Sequence, residues 1–146
     1  MPVAKVNAST FQMTDAQWGL LLKSGERQKY DCGHAVIISG PAGQGGAARL
    51  AARGALRIGA GLVSVGCQSC AIAEHAAQLN AIMVKRFATV DALRRRLADI
   101  KTGAICIGPN LGLDQTAQKI LAHCLFMPLP MCLDADAIIA DGRYHA

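Results

Sequence analysis

Residues Gly33–Val65 read GHAVIISGPAGQGGAARLAARGALRIGAGLVSV. The run AVIIS at 35–39 is short, continuous and β-branched, the pattern of a strand buried on both faces. A glycine-rich turn, GPAGQGG at 40–46, then opens an alanine-rich segment with helical patterning over 45–58. The turn Gly59-Ala60-Gly61 returns the chain to a second apolar run, LVSV at 62–65. Strand, helix and strand at this spacing describe a crossover between parallel strands.

The same rhythm continues downstream. Apolar runs recur at Ala81–Val84 (AIMV), Ala104–Ile107 (AICI) and Met131–Leu133 (MCL). Helical patterning fills 71–79, 90–100 and 114–124 between and around them. The fold class is therefore α/β with a mainly parallel sheet. Upstream, Thr14-Asp15-Ala16-Gln17 fits a capping box and predicts a short helix through Trp18, Leu21 and Leu22. We expect one domain over 1–146, with an N-terminal helix and loop at 1–28 and a βα core at 29–146.

Composition sets bounds on function. The 146 residues suit one core, and 52% hydrophobic against 17% charged residues excludes a disordered chain. No apolar run reaches the ~20 residues of a spanning helix, so no membrane role is expected. The start, MPVAKVNASTFQMTD, lacks the apolar stretch of an export signal, which predicts a cytoplasmic protein whose six cysteines stay reduced. Cys106 and Cys132 sit in apolar runs and are expected to be buried as small hydrophobes. A net charge of +5 favours anionic partners weakly, while 4% aromatic residues argue against nucleic acid. A small phosphorylated ligand suits both numbers.

On the helix after the glycine turn, Ala47, Ala48, Ala51, Gly54, Ala55 and Ile58 fall on one arc. Arg49, Arg53 and Arg57 fall opposite and are expected to face solvent. The helix N-terminus at Gly45-Gly46-Ala47 offers unpaired N–H groups to an anion, unless the glycines serve only the tight turn. The loop has no P-loop lysine, because Gly46-Ala47 stands where Lys-Ser/Thr belongs. It fits a dinucleotide fingerprint only if Ala48 replaces the last glycine.

Two further turns follow strands: Gly108-Pro109-Asn110-Leu111-Gly112 and Leu133-Asp134-Ala135-Asp136-Ala137. Loops at the carboxyl ends of parallel strands line the ligand crevice. Asp134 and Asp136 are suited to a ribose, a water or Mg²⁺, or alternatively to helix capping. Cys67-Gln68-Ser69-Cys70 is a lone CxxC without a partner pair for zinc, and His34, His75, His123 and His145 share no spacing.

Taken in order, the stretch quoted above, IGPNLG at 107–112 and LDADA at 133–137 resemble the ADP/ATP-dependent NAD(P)H-hydrate dehydratases. The resemblance implies a ribokinase-like three-layer α/β/α sandwich. It further implies a carbon–oxygen lyase that uses ADP or ATP with Mg²⁺ to return hydrated NADH or NADPH to the usable cofactor. A nucleotide phosphate activates the substrate hydroxyl, and the phosphorylated intermediate then eliminates. Gly46, Ala47, Gly108, Asn110, Gly112, Asp134 and Asp136 are the implied substrate-binding positions. The sequence departs from the family at Asn110, where the family has glycine; Asn tolerates positive φ, so the turn survives. The family's TPHPGE and GGTGD segments, the second with the catalytic aspartate, are not among these residues. The chain is therefore expected to supply the substrate-side, N-terminal half and to be inactive alone. A homo-oligomer is expected as well. A kinase of a small hydroxylated metabolite and a non-catalytic binding or oligomerisation fragment are the alternatives.

Overall fold

A computed structural model describes residues 12–21, 28–87, 89–99 and 101–141. Five strands, β1 (His34–Ile38), β2 (Leu62–Cys67), β3 (Met83–Arg86), β4 (Ala104–Ile107) and β5 (Met131–Leu133), form one sheet in the order β3-β2-β1-β4-β5. Every pairing is parallel. Among the described residues six α-helices accompany them: α1 (Asp15–Leu21), α2 (Gly46–Ile58), α3 (Ile72–Gln78), α4 (Val90–Asp99), α5 (Gln115–Leu125) and α6 (Ala135–Ala140).

The order follows from how each crossover places the next strand. β1 to β3 run outward in one direction, and β4 then returns to pair with the free side of β1. The direction of progression reverses between β1 and β4. In open parallel sheets this reversal opens a crevice at the carboxyl ends of the two strands.

Alternation along the strands divides the interior into two cores. Val36 and Ile38 of β1, with Ile105 and Ile107 of β4, face α4, α5 and α6 through Leu93, Leu97, Ala117, Ile120, Leu121 and Ala137. On the opposite face Ile37, Val63 and Val65 meet Ala48 and Ala52 of α2. Small side chains let that helix backbone approach the sheet closely. The buried stripe of α2 differs from the expected arc: Ala47 and Gly54 are exposed and Ile58 is 52% exposed. The helix is rotated so that Ala48 and Ala52 point inward against Ile37, Val63 and Val65. Arg53 and Arg57 are exposed as expected, Arg53 also donating to the Gln78 carbonyl at 2.7 Å, whereas Arg49 is half-buried against Glu74.

The α2-side face of β4 and β5 carries no helix among the described residues. There an apolar groove of about 350 Å³ is lined by Ala35, Ile37, Ala51, Ala55, Cys106 and Cys132. This corrects the expected burial of the last two: Cys132 is exposed and Cys106 half-buried. They are register partners on adjacent strands, and burial with the neighbouring Cys132 thiol pushes Cys106 upward. Cys124, inside the α5 core, is pushed up to about 12 by burial alone, and Cys67 to about 11 by burial with Cys70 and Glu74 assisting.

The capping box is present. The Thr14 amide donates to Gln17 Oε1 at 2.8 Å, and the Gln17 amide donates back to Thr14 Oγ1 at 3.3 Å. Leu22, the last apolar residue expected on α1, lies outside the described residues.

Two buried histidines bracket β1. His34 Nε2 lies 2.9 Å from Ser64 Oγ on β2, and His75 Nε2 lies 3.2 Å from Ser39 Oγ just past the strand. Burial lowers both pKa values, with Lys85 assisting at His34 and Arg49 at His75, where Glu74 opposes in part. Both imidazoles fold neutral. Below about 6.5 the unfolded chain binds protons that the native state refuses, so stability falls as pH drops. Urea midpoints measured from pH ~8 down to ~5 should decline, and His34→Gln should flatten the decline. In native buffer, Cys70 and Cys132 should react first with a thiol reagent, while Cys67 and Cys124 react only on unfolding.

Candidate functional site

Three loops leave the carboxyl ends of β1, β4 and β5 and meet at the reversal point. The first is the glycine turn at 40–46. Gly40 is required by contact: a Cβ there would lie 1.7 Å from the Asn110 carbonyl oxygen. The β1 and β4 loops therefore touch backbone to backbone. Gln44 completes the junction, its carbonyl accepting from Asn110 Nδ2 at 2.6 Å. Asn110 has φ 61, so this left-handed position is held by a residue that tolerates it and also bonds across the crevice. The departure from the family's glycine thus has a structural use.

The second loop is tied to the third. Gly108, at φ 126, packs so closely on the Asp134 carbonyl that a Cβ would meet it at 1.8 Å. The Asp134 amide donates to the Ile107 carbonyl at 2.9 Å, continuing the β4–β5 ladder past the strand. Asp136 accepts from the Gly112 amide at 2.9 Å. Of the two readings of the aspartates, side-chain capping of α6 is not made: Asp134 occupies the N-cap position without a side-chain bond. Asp134 is exposed and Asp136 half-buried with one oxygen engaged.

The glycine turn is closed from a direction the sequence did not announce. Glu74 of α3 accepts from the Gly43 amide at 2.6 Å, the Gly45 amide at 3.2 Å and Arg49 Nη1 at 2.6 Å. Hydrogen bonds from Arg49 and then Gly43 hold its carboxyl down at about 2. No side chain caps α2 at Gly45 itself. His75, the next residue, is fully buried beneath the turn, its Cε1 2.7 Å from where a Gly45 Cβ would sit. Its Nδ1 has no partner among the described residues. Spacing alone had left His75 without a role.

The predicted site residues are thus gathered on one edge of the sheet. Gly46 and Ala47 open α2 beside the glycine turn, with Ala47 exposed. Gly108, Asn110 and Gly112 form the central turn, and Asp134 and Asp136 flank it. The CxxC begins at Cys67, the last residue of β2, and leads through Cys70 into the helix that carries Glu74. Among the described residues no three His, Cys, Asp or Glu side chains converge as a metal set, and no helix is long and apolar enough to cross a membrane.

Residues 35–142 match the NAD(P)H-hydrate dehydratase family, also called Carb_kinase. The bifunctional NAD(P)H-hydrate repair enzyme Nnr of Coxiella burnetii is 34% identical over 113 residues, covering 77% of this chain and 23% of that protein. The ADP-dependent (S)-NAD(P)H-hydrate dehydratase of Listeria monocytogenes is 30% identical, covering 80% of this chain and 40% of that enzyme. Among solved structures, the ADP/ATP-dependent dehydratase of Bacillus subtilis, co-crystallised with ATP/Mg²⁺, superposes with a TM-score of 0.67 at 28% identity. That match covers 86% of this chain and 46% of the Bacillus chain. A ribokinase-like protein of Enterococcus faecalis gives a TM-score of 0.70 at 25% identity, covering 87% and 48%. The chain spans less than half the length of each of these relatives. With a five-stranded parallel sheet, glycine-ruled junctions at its reversal point and a match over residues 35–142, the chain belongs to the NAD(P)H-hydrate dehydratase family.

Proposed function

We propose that this chain forms the substrate-side wall of a nicotinamide-nucleotide repair site, receiving hydrated NADH or NADPH between the β1 and β4 loops. The observation that carries the reading is the locked junction of Gly40 and Gln44 with Asn110 at the reversal point, where parallel sheets take their ligands. Gly46 and Ala47 present the N-terminus of α2 to the ligand. Gly108, Asn110 and Gly112 give a backbone-lined turn that a flat ring can approach closely. Asp134 and the free oxygen of Asp136 are left to accept from ligand hydroxyls.

The relatives' names carry ADP, and the Bacillus structure was obtained with ATP/Mg²⁺. The described residues of this chain do not fit nucleotide phosphates. The amides of Gly43 and Gly45 already serve Glu74, no lysine stands in the turn, and no metal set is gathered. The role proposed for these residues is binding and orienting the substrate, with the nucleotide held elsewhere in a working enzyme.

Calorimetry with hydrated NADPH should give saturable heat, and the 146-residue chain incubated with hydrated NADPH, ADP and Mg²⁺ should regenerate no reduced nicotinamide. Absence of saturable heat overturns the binding reading, and regeneration of the cofactor overturns the restriction to binding. Gly40→Ala should force the β1 and β4 loops apart, lowering stability by ~1–3 kcal/mol and abolishing that heat. A urea titration alongside the calorimetry separates the two effects.

A further inference from the structure

Three donors converge on one carboxylate at the glycine turn: the Gly43 amide, the Gly45 amide and the Arg49 guanidinium, all on Glu74. Two backbone amides of a glycine turn and an arginine are the donor set of an oxyanion site. Here the chain supplies its own anion. Glu74 is held in place by its element: the adjoining His75 is wedged under Gly45 and tied to Ser39. The carboxylate is nevertheless 27% exposed and Arg49 19%, so the cluster borders solvent on that side.

We propose that Glu74 is a built-in occupant of the glycine turn, which makes the turn reject phosphate and leaves only the uncharged parts of a ligand to be met at the start of α2. An oxyanion entering from solvent must displace a tethered carboxylate that is present at high effective concentration, and it is repelled by that charge until it does. The phosphate selectivity usual for glycine turns before helices is in this way cancelled by a residue 31 positions along the chain from Gly43. The proposal deepens the reading above, which keeps phosphates out of this turn on the same bonds, while calorimetry with hydrated NADPH tests the crevice separately from the phosphate titration.

The test is a titration of ¹⁵N-labelled chain with inorganic phosphate, following the Gly43 and Gly45 amide resonances. In the wild-type chain these amides should stay put. In Glu74→Ala they should shift saturably, with an apparent affinity roughly tenfold or more above any wild-type response. Glu74→Gln, which keeps the shape and one acceptor but removes the charge, should fall between the two. Equal phosphate response in wild type and Glu74→Ala overturns the proposal, as does no response in a Glu74 variant whose circular dichroism matches wild type. Should both variants fail to fold, the wild-type Gly43 amide decides: its pH titration should have a midpoint far below 4.5, near 2. A midpoint at the ordinary carboxyl value would show that Glu74 does not occupy the turn.

Discussion

The pairing of β1 with β4 across the point of reversal governs everything the molecule presents on its working edge. Four residue pairs, from Ala35↔Ala104 to Ile38↔Ile107, set the two strands side by side and bring their exits to the same height. Beyond Ile38 and Ile107 the chains have no ladder left to share, yet they remain in contact because Gly40 has no side chain to keep Asn110 away. A methyl group at Gly40 would occupy the space of a backbone oxygen, which has no rotamer by which to move aside. Gly108 does the same against Asp134 at the next junction. The crevice is therefore lined by main chain, and its shape is fixed by what is absent from two side-chain positions. Backbone-to-backbone contact of this kind fixes the loops' positions relative to each other, which suits a site that must orient a ligand.

The two sheet faces are unequal, and the inequality explains the cysteines. On the α4–α6 side, Ile105, Ile107, Met131 and Leu133 are covered, and Cys124 is fully enclosed in α5. On the α2 side, helices among the described residues cover β1, β2 and β3, where α3 lies against the strand, while the alternate residues of β4 and β5 line an open groove. Cys106 and Cys132 belong to that alternate set. Their apolar neighbours in sequence, Ile105, Ile107, Met131 and Leu133, point the other way. A continuous apolar run states that both faces of a strand are compatible with burial; it does not state that a neighbour is present to bury them.

Much of the fold was legible because it rests on local pattern. AICI and MCL gave β4 and β5 with their observed bounds, since each is a short apolar run between clear breaks. β3 is displaced, running Met83–Arg86 instead of 81–84. Ile82 packs with the α2-side core as the chain enters the strand, and an edge strand tolerates Lys85 and Arg86 toward solvent. β2 extends two residues past LVSV because Gly66 and Cys67 pair with Lys85 and Arg86, a partnership invisible until β3 is placed. The three turns were recognised as one edge from topology alone. Glu74 and His75 were not, because their partners lie about 30 residues away and neither helical nor strand periodicity encodes a bond between α3 and the loop before α2.

Glu74 also resolves a local problem of the helix it serves. α2 begins at Gly46 after Gly45, neither of which has a side chain to accept from the exposed N-terminal amides. Helices ordinarily meet that need with Ser, Thr, Asp or Asn at the N-cap. Such a residue at position 45 would collide with His75, Arg49 and Glu74, all within 3 Å of the Cβ it would carry. The close packing that disfavours a side chain at Gly45 thus removes the usual cap, and the same packing brings in a carboxylate from α3 that satisfies the preceding amides and complements the helix dipole. The arginine one turn into α2 then neutralises the imported charge. Tight approach, missing cap and borrowed carboxylate are consequences of one constraint, the absence of a side chain at Gly45.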